Sequence, residues 1–299
     1  KSEPIVSYMV ALLDLDGTES IFEPCAGDGV FIDPILDKYQ NIKIDAFELN
    51  ENACDTLKSK YQDLENISIK QTDTLTDLDL EFLCSMGGKY DAVIANPPYL
   101  KERDNAHIFD SINNSNFGSL WHQGKMDFWY YFLHKSLDVT NEKGVISFIT
   151  SRYWLNSDGA KKLISRLKSE TRFTSVIDIG KLKVFDNVAG HHMIHVYSKI
   201  KNNQEFTFKK IINDIRSIVS REENSNVKIS LLSNTKVFID DEIILNDGVF
   251  NRIKNTIPLG DLFDVSQGVV EAADKISSKK IKSSINKDHF QVGQGVFVL

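Results

Sequence analysis

The chain has 299 residues, 41% of them hydrophobic and 26% charged, with a formal net charge of −7. This suits a soluble globular protein with one large domain, or one domain plus a smaller piece. No apolar run approaches the roughly 18 residues of a membrane span and no signal-peptide pattern opens the chain. The acidic balance excludes a globally basic nucleic-acid binder but leaves room for a local basic face. Three scattered cysteines, Cys25, Cys54 and Cys84, form no Cys-x-x-Cys pair, which argues against a disulfide framework or zinc site and for a reducing compartment.

Ile5, Val6, Met9, Val10, Leu12 and Leu13 fall at helical spacing and predict an amphipathic opening helix. It is expected to end near Asp14-Leu15-Asp16-Gly17-Thr18, with Gly17 as its C-cap glycine. That pentad resembles the nucleophile loop of haloacid-dehalogenase-type phosphatases, which follows a buried strand; here it follows a helical pattern. A short strand, Ile21-Phe22, then leads through Glu23-Pro24-Cys25-Ala26-Gly27-Asp28-Gly29 into a helix from Phe31 to Tyr39. Small residues let a ligand approach the backbone. Glu23 and Asp28 are poor neighbours for a pyrophosphate and suit a positively charged cofactor such as S-adenosylmethionine.

The second strand, Ile44 to Leu49, carries Glu48 at its carboxyl end, where a carboxylate can take both ribose hydroxyls. A helix over Asn52 to Leu57 follows, then a third strand, Ile67 to Thr72, ending at Asp73, placed to accept from an adenine amino group. The fourth, Ala92 to Ala95, runs into Asn96-Pro97-Pro98-Tyr99, because neither proline can donate the next ladder bond. Asn96 and the proline carbonyls offer acceptors for the two protons of one planar NH2 group, and Tyr99 offers a ring to stack on its carrier. Taken alone, the same four residues are also an ordinary strand-ending turn. Glu23, Glu48, Asp73 and Asn96 at successive strand ends would line one edge of one parallel sheet with the first strand central.

Lys101 to Lys125, rich in Asn, Ser and His, reads as a long connection, either a binding element or a mobile surface loop. Met126 to Leu133 begins a helix. Gly144 to Thr150 is a fifth strand, Gly159 to Lys168 a helix with a basic outer face, and Phe173 to Ile179 a sixth strand. After the turn Val184 to Gly190, a strand spans His191 to Ser198. Its three histidines cannot converge on a metal, since His191 and His192 face opposite ways, so a partly exposed strand is expected. Phe206, Phe208, Ile211 and Ile212 suggest an edge strand, and Glu222 to Asn226 a polar loop.

The order of these parts resembles the gamma class of adenine-N6 DNA methyltransferases, the class of the thermophilic Taq enzyme. That resemblance implies a Rossmann-like α/β fold with a seven-stranded, mostly parallel sheet, an antiparallel last strand and helices on both faces. It implies S-adenosylmethionine as cofactor, with Glu23, Cys25 and Ala26 near its methionine part, Glu48 near the ribose, Asp73 and Phe132 near its adenine, and Gly27, Asp28, Leu49 and Thr74 also among the residues that bind it. Asn96 would touch both cofactor and substrate. Asn96, Pro97, Pro98 and Tyr99 would take a flipped-out adenine of double-stranded DNA, with Phe185 stacked on the face opposite Tyr99. No metal is implied, no membrane partner, and a cytoplasmic bacterial or archaeal setting. The opening helix lacks the Thr-Pro element that usually precedes it, Lys1-Ser2-Glu3-Pro4 standing there instead.

Residues 1–235 are expected to be the catalytic domain and 236–299 a connector with the start of a target-recognition domain, since Ile257 to Val270 resembles the entry to one. Lys275, Lys279, Lys280, Lys282 and Lys287 would suit phosphate contacts. The chain is then expected to be part of a larger protein, such as a type IIG restriction–modification enzyme with fused or separate nuclease and specificity parts. Alternatives are N5-glutamine methylation of release factors, RNA adenine methylation, and a DNA-specificity module without catalysis.

Overall fold

The computed structural model describes residues 3–245 apart from 18, 78, 81, 83–88, 185–190, 201–203 and 240–241. The described residues lie in one compact unit, Lys1–Asp247. Phe185, Cys84, the target-recognition entry and the lysine series lie outside the described residues.

Helix α1 (Glu3–Ala11) precedes β1 (Ser20–Glu23), α2 (Ile32–Lys38), β2 (Lys43–Glu48), α3 (Glu51–Tyr61), β3 (Ile67–Gln71) and β4 (Tyr90–Ala95). Two short helices, α4 (Ala106–Asn113) and α5 (Asn116–Trp121), lead to α6 (Trp129–Val139), β5 (Thr140–Ser151), α7 (Lys161–Glu170), β6 (Arg172–Gly180) and β7 (His192–Ser198). The chain continues through β8 (Glu205–Ile211), β9 (Val227–Ser233), α8 (Asn234–Val237) and a small hairpin, β10 (Phe238–Ile239) with β11 (Glu242–Ile243).

Among the described residues the main sheet has nine strands, in the order β3-β2-β1-β4-β5-β7-β6-β8-β9. The first five run parallel, β7 is antiparallel to both its neighbours, β6 and β8 are parallel, and β9 is antiparallel to β8. The α/β class with its antiparallel seventh strand is as expected, but the count of seven is too low. The pattern at Phe206 to Ile212 signals an edge strand, whereas β8 is covered by β6 on one side and β9 on the other. The missed strand β9, Val-Lys-Ile-Ser-Leu-Leu-Ser, leaves Leu231 exposed, so its alternation is blurred.

Both faces of the sheet are covered, so its central strands are apolar on both sides. On β4, Val93 and Ala95 join one core with Phe22, Phe148 and α6, while Ala92 and Ile94 join the other with α1 and α2. Helix α6 is buried nearly all round, its polar His134, Lys135 and Ser136 included. Its Lys135 is buried with the ammonium 4.1 Å from the centre of the Phe117 ring.

Three local expectations are corrected. Residues 101–125 are not one loop: α4 buries Phe109 and Ile112, and α5 starts at Ser115, whose hydroxyl accepts from the Gly118 N–H at 2.9 Å. Gly118 must be small there, because a Cβ would come within 2.0 Å of the Ile112 carbonyl oxygen. The strand carrying the histidines is buried along its whole length, since it lies between β5 and β6 under both cores. Gly17 has φ +95 but is not the cap of α1, which ends at Ala11; it turns a separate loop whose Asp16 and Gly17 N–H groups donate to the Glu19 carboxylate. That loop enters β1 rather than leaving a strand, unlike the phosphatase arrangement.

Candidate active site

The strand order places the carboxyl ends of β3, β2, β1 and β4 side by side, so Asp73, Glu48, Glu23 and Asn96 follow one another along one edge. Main-chain bonds knit that edge together. The Thr72 N–H donates to the Glu48 carbonyl at 3.1 Å and the Ala26 N–H to the Phe47 carbonyl at 2.9 Å.

The loop after β1 turns through two left-handed glycines, Gly27 at φ +55 and Gly29 at φ +68. Nothing stands within 4 Å of where a Cβ would sit on Gly27, so the loop presents open backbone there; at Gly29 a Cβ would meet Leu57 Cδ2 at 2.5 Å. The Glu48 carboxylate spans the site. One oxygen accepts from the Gly27 N–H at 2.6 Å and the other from the Asn50 N–H at 2.7 Å. An ionised carboxylate has about four lone-pair directions, so acceptor capacity remains for two hydroxyls. Asn50 in turn caps α3, accepting from the Ala53 N–H at 3.0 Å.

Glu23 is 1% exposed at the end of β1. Thr74, 3% exposed, donates its hydroxyl to the Pro24 carbonyl at 2.6 Å and ties the loop after β3 to the loop after β1. Asp73, half-buried beside it, accepts from the Leu75 N–H at 3.0 Å. Asp28 and Leu49 are exposed, Leu49 by 68%. Phe132 is buried on α6, edge-on to Phe128 at 5.8 Å, in the same core cluster as Leu75.

Cys25 joins this half to the Asn-Pro-Pro-Tyr turn. The Asn96 backbone N–H lies close enough to the thiol to favour its ionised form slightly. Burial, then the charges of Glu23 and Glu48, push the thiol well up, so it stays protonated at neutral pH. Asn96 is half-buried, Pro97 buried and Pro98 exposed. The Tyr99 hydroxyl lies 2.9 Å from the Asn96 side-chain oxygen and 2.8 Å from the Ile149 carbonyl oxygen on β5. Burial raises its pKa, reinforced by Cys25 and Asp127. Asp127, whose own pKa burial raises against the pull of Lys101, is a further carboxyl close to this turn.

The structure therefore brings Glu23, Cys25, Ala26, Gly27, Glu48, Asp73, Thr74, Asn96, Pro97 and Tyr99 to one edge. Two neighbours were not foreseen. The Ile149 carbonyl carries no side-chain signal. His192, which packs its ring 6.1 Å from that of Tyr99, is expected from the sequence only as part of a partly exposed strand. Among the described residues no group of three His, Cys, Asp or Glu side chains could hold a metal ion, and no helix is long and apolar enough to cross a membrane.

A family model described as the Eco57I restriction-modification methylase matches residues 9–185, the span that carries this edge. The chain belongs to that family. Among relatives, this Eco57I-type methylase is 31% identical over 219 residues to the type II methyltransferase M.AccI of Acinetobacter calcoaceticus, covering 71% of the chain and 38% of the relative. It is 23% identical to the type II methyltransferase M.HindII of Haemophilus influenzae, covering 91% and 53%. Among solved structures, a modification subunit of a putative type I restriction enzyme from Vibrio vulnificus superposes with TM-score 0.62 at 14% identity, covering 79% of this chain and 55% of that one. The fold is thus shared with proteins of this class. The chain spans well under two thirds of the length of the relatives it matches.

Proposed function

We propose that this Eco57I-type methylase transfers a methyl group from S-adenosylmethionine to the N6 amino group of an adenine flipped out of double-stranded DNA, within a restriction–modification system. The observation that carries the reading is the junction at Asn96. Its backbone N–H lies near the Cys25 thiol of the carboxylate-rich loop, and its side-chain oxygen accepts from the Tyr99 hydroxyl at 2.9 Å. A cofactor half and a substrate half thereby share one residue.

The residues fit that cofactor chemically. Glu23, Glu48 and Asp73 line a loop opened by left-handed glycines, which suits a ligand with two cationic centres, ribose hydroxyls and an adenine amino group. Bound there, S-adenosylmethionine supplies an activated methyl on its sulfonium. Glu23 with the Cys25–Asp28 loop would hold the methionine part, Glu48 the ribose, and Asp73 the adenine, with Leu49, Thr74 and Phe132 bordering it.

On the substrate side the Asn96 oxygen and the Pro97 carbonyl accept the two N–H bonds of one amino group, localise its lone pair and fix its direction. To do so Asn96 must trade part of its bond with the Tyr99 hydroxyl for one from the base. Tyr99 presents its ring to one face of the base, and Phe185 is assigned to the other. Since the methyl is already activated, positioning supplies much of the rate. The base has to leave the duplex to reach a turn set at a strand end.

The test is transfer of radiolabelled methyl to separate DNA, RNA and release-factor substrates, followed by nucleoside analysis. Label in N6-methyladenine of DNA, lost in Asn96→Ala with cofactor binding kept, is expected. Label confined to RNA or to a protein glutamine, or methylation undiminished in Asn96→Ala, contradicts the reading. We further assign residues 1–235 to catalysis and the remainder to a connector and the start of target recognition, with nuclease and specificity parts as partners.

A further inference from the structure

Beside the Asn96–Tyr99 turn, one strand further along the same edge, lies an open groove of about 450 Å³. Its walls are the 3-10 turn after β5 (Arg152–Asn156), His191 just before β7, and the end of the β10–β11 hairpin, Glu242 to Leu245. We propose that this groove is a second nucleobase site, holding a base of the DNA strand next to the one presented to Asn96. It rests on the DNA-methyltransferase reading and adds a contact that the methyl transfer itself does not require.

Position is the first argument. His191 and His192 are consecutive; His192 packs against Tyr99, and His191 lines the groove. The two histidines face opposite ways but stand at the same end of β7, so the groove opens at the sheet edge that carries Tyr99, one strand along.

Chemistry is the second. Tyr153, on the groove wall, holds its ring 60% exposed. It is braced rather than loose: the His191 ring meets it edge-on at 5.8 Å and 68°. The Arg152 N–H donates to the His191 carbonyl at 2.9 Å, fixing the two walls to each other. The Arg152 guanidinium is anchored at 2.8 Å on Asp178, whose side chain is 5% exposed, and Asp178 itself is fixed by the Gly180 N–H at 2.9 Å. One face of the guanidinium is thus set while its other donors remain, the side chain being 38% exposed.

The mixture of groups decides the ligand. A braced ring, a planar donor fork, the Asn156 amide and the Glu242 carboxylate over the buried Ile243 match the flat face and mixed donor–acceptor edge of a base. A phosphate would meet the Glu242 charge. The volume is that of a small-ligand pocket, ample for one base.

The experiment uses the full chain and compares wild type, Tyr153→Ala and Tyr153→Phe in methyl transfer to duplex DNA, with melting curves on each. Loss of one base stack should raise KM for DNA about 5- to 150-fold in Tyr153→Ala while leaving KM for S-adenosylmethionine and the melting temperature where they were. Tyr153→Phe should restore KM. Photocrosslinking of DNA with 5-iodouracil beside the target adenine should map to Tyr153. Active wild type with an unchanged KM for DNA in Tyr153→Ala, a raised KM that Phe does not restore, or crosslinks elsewhere would overturn the groove while leaving the methyltransferase reading intact. A wild-type chain that neither binds nor methylates DNA overturns that reading, and the groove with it.

Discussion

Tyr99→Phe isolates one atom of the site. The substitution keeps the ring that would stack on the base and removes the hydroxyl that lies 2.9 Å from Asn96 and 2.8 Å from the Ile149 carbonyl. A hydroxyl has one proton to donate, so these two contacts amount to about one hydrogen bond, a net contribution of about 1 kcal/mol. Lost from the folded state, that lowers the melting temperature by roughly 2–4 °C for a domain of this size. Lost from the alignment of the Asn96 oxygen, it lowers kcat by about fivefold. KM for DNA should hardly move, because the ring is kept. Tyr99→Ala should raise it as well, stacking on one base being worth about 1–3 kcal/mol. Steady-state methylation of duplex DNA measures both constants. A kcat for Tyr99→Phe equal to or above wild type would refute the reasoning, since the hydroxyl would then be a competitor for the Asn96 oxygen rather than its orienter.

Thr74→Val removes the buried hydroxyl while keeping its shape and strands the Pro24 carbonyl, so a loss of about 1–3 kcal/mol in urea unfolding and weaker S-adenosylmethionine binding by calorimetry are expected. The Cys25 thiol, raised by burial and by Glu23 and Glu48, should resist iodoacetamide at neutral pH in the folded protein and react on unfolding, as read by peptide mass spectrometry. Burial lowers His195 to about 3, against about 6.5 in the unfolded chain, and lowers His134 well below its usual value. Between those limits the unfolded state binds more protons, so stability falls as pH drops from about 6.5 toward 3, by up to about 1.4 kcal/mol per pH unit for each histidine. Urea titrations at stepped pH should show that slope, and His195→Leu should reduce it.

The half of the site on β1 to β4 was legible because parallel strands buried on both faces read as apolar runs, and the polar residue that ends each run marks the functional edge. Glu23, Glu48, Asp73 and Asn96 stand out for that reason. What joins them does not. The Cys25 sulfur under the Asn96 N–H, the Thr74 hydroxyl on Pro24 and the Tyr99 hydroxyl on Ile149 are long-range contacts to backbone atoms, which no side-chain pattern encodes. Helices α4 and α5 were hidden for a different reason: each is short, and Asn, Ser and His surround Phe109, Ile112 and Phe117, so composition spoke for a loop while packing on α6 made helix. Strand β9 escaped because a strand at the margin of a sheet need not alternate cleanly.

The insertion of β7 between β5 and β6 also orders events during synthesis. Strand β6 leaves the ribosome before β7, yet it reaches β5 only through β7. Until Ser198 has emerged, β5 has an open edge of seven residues, Val145 to Ser151, the kind of edge that recruits stray strands. Over the same interval His192 is not in place beside Tyr99, and the Ile149 carbonyl that steadies the Tyr99 hydroxyl belongs to an unpaired margin. A nascent chain can therefore assemble the β1–β4 edge early but completes the substrate side only once β7 closes the gap.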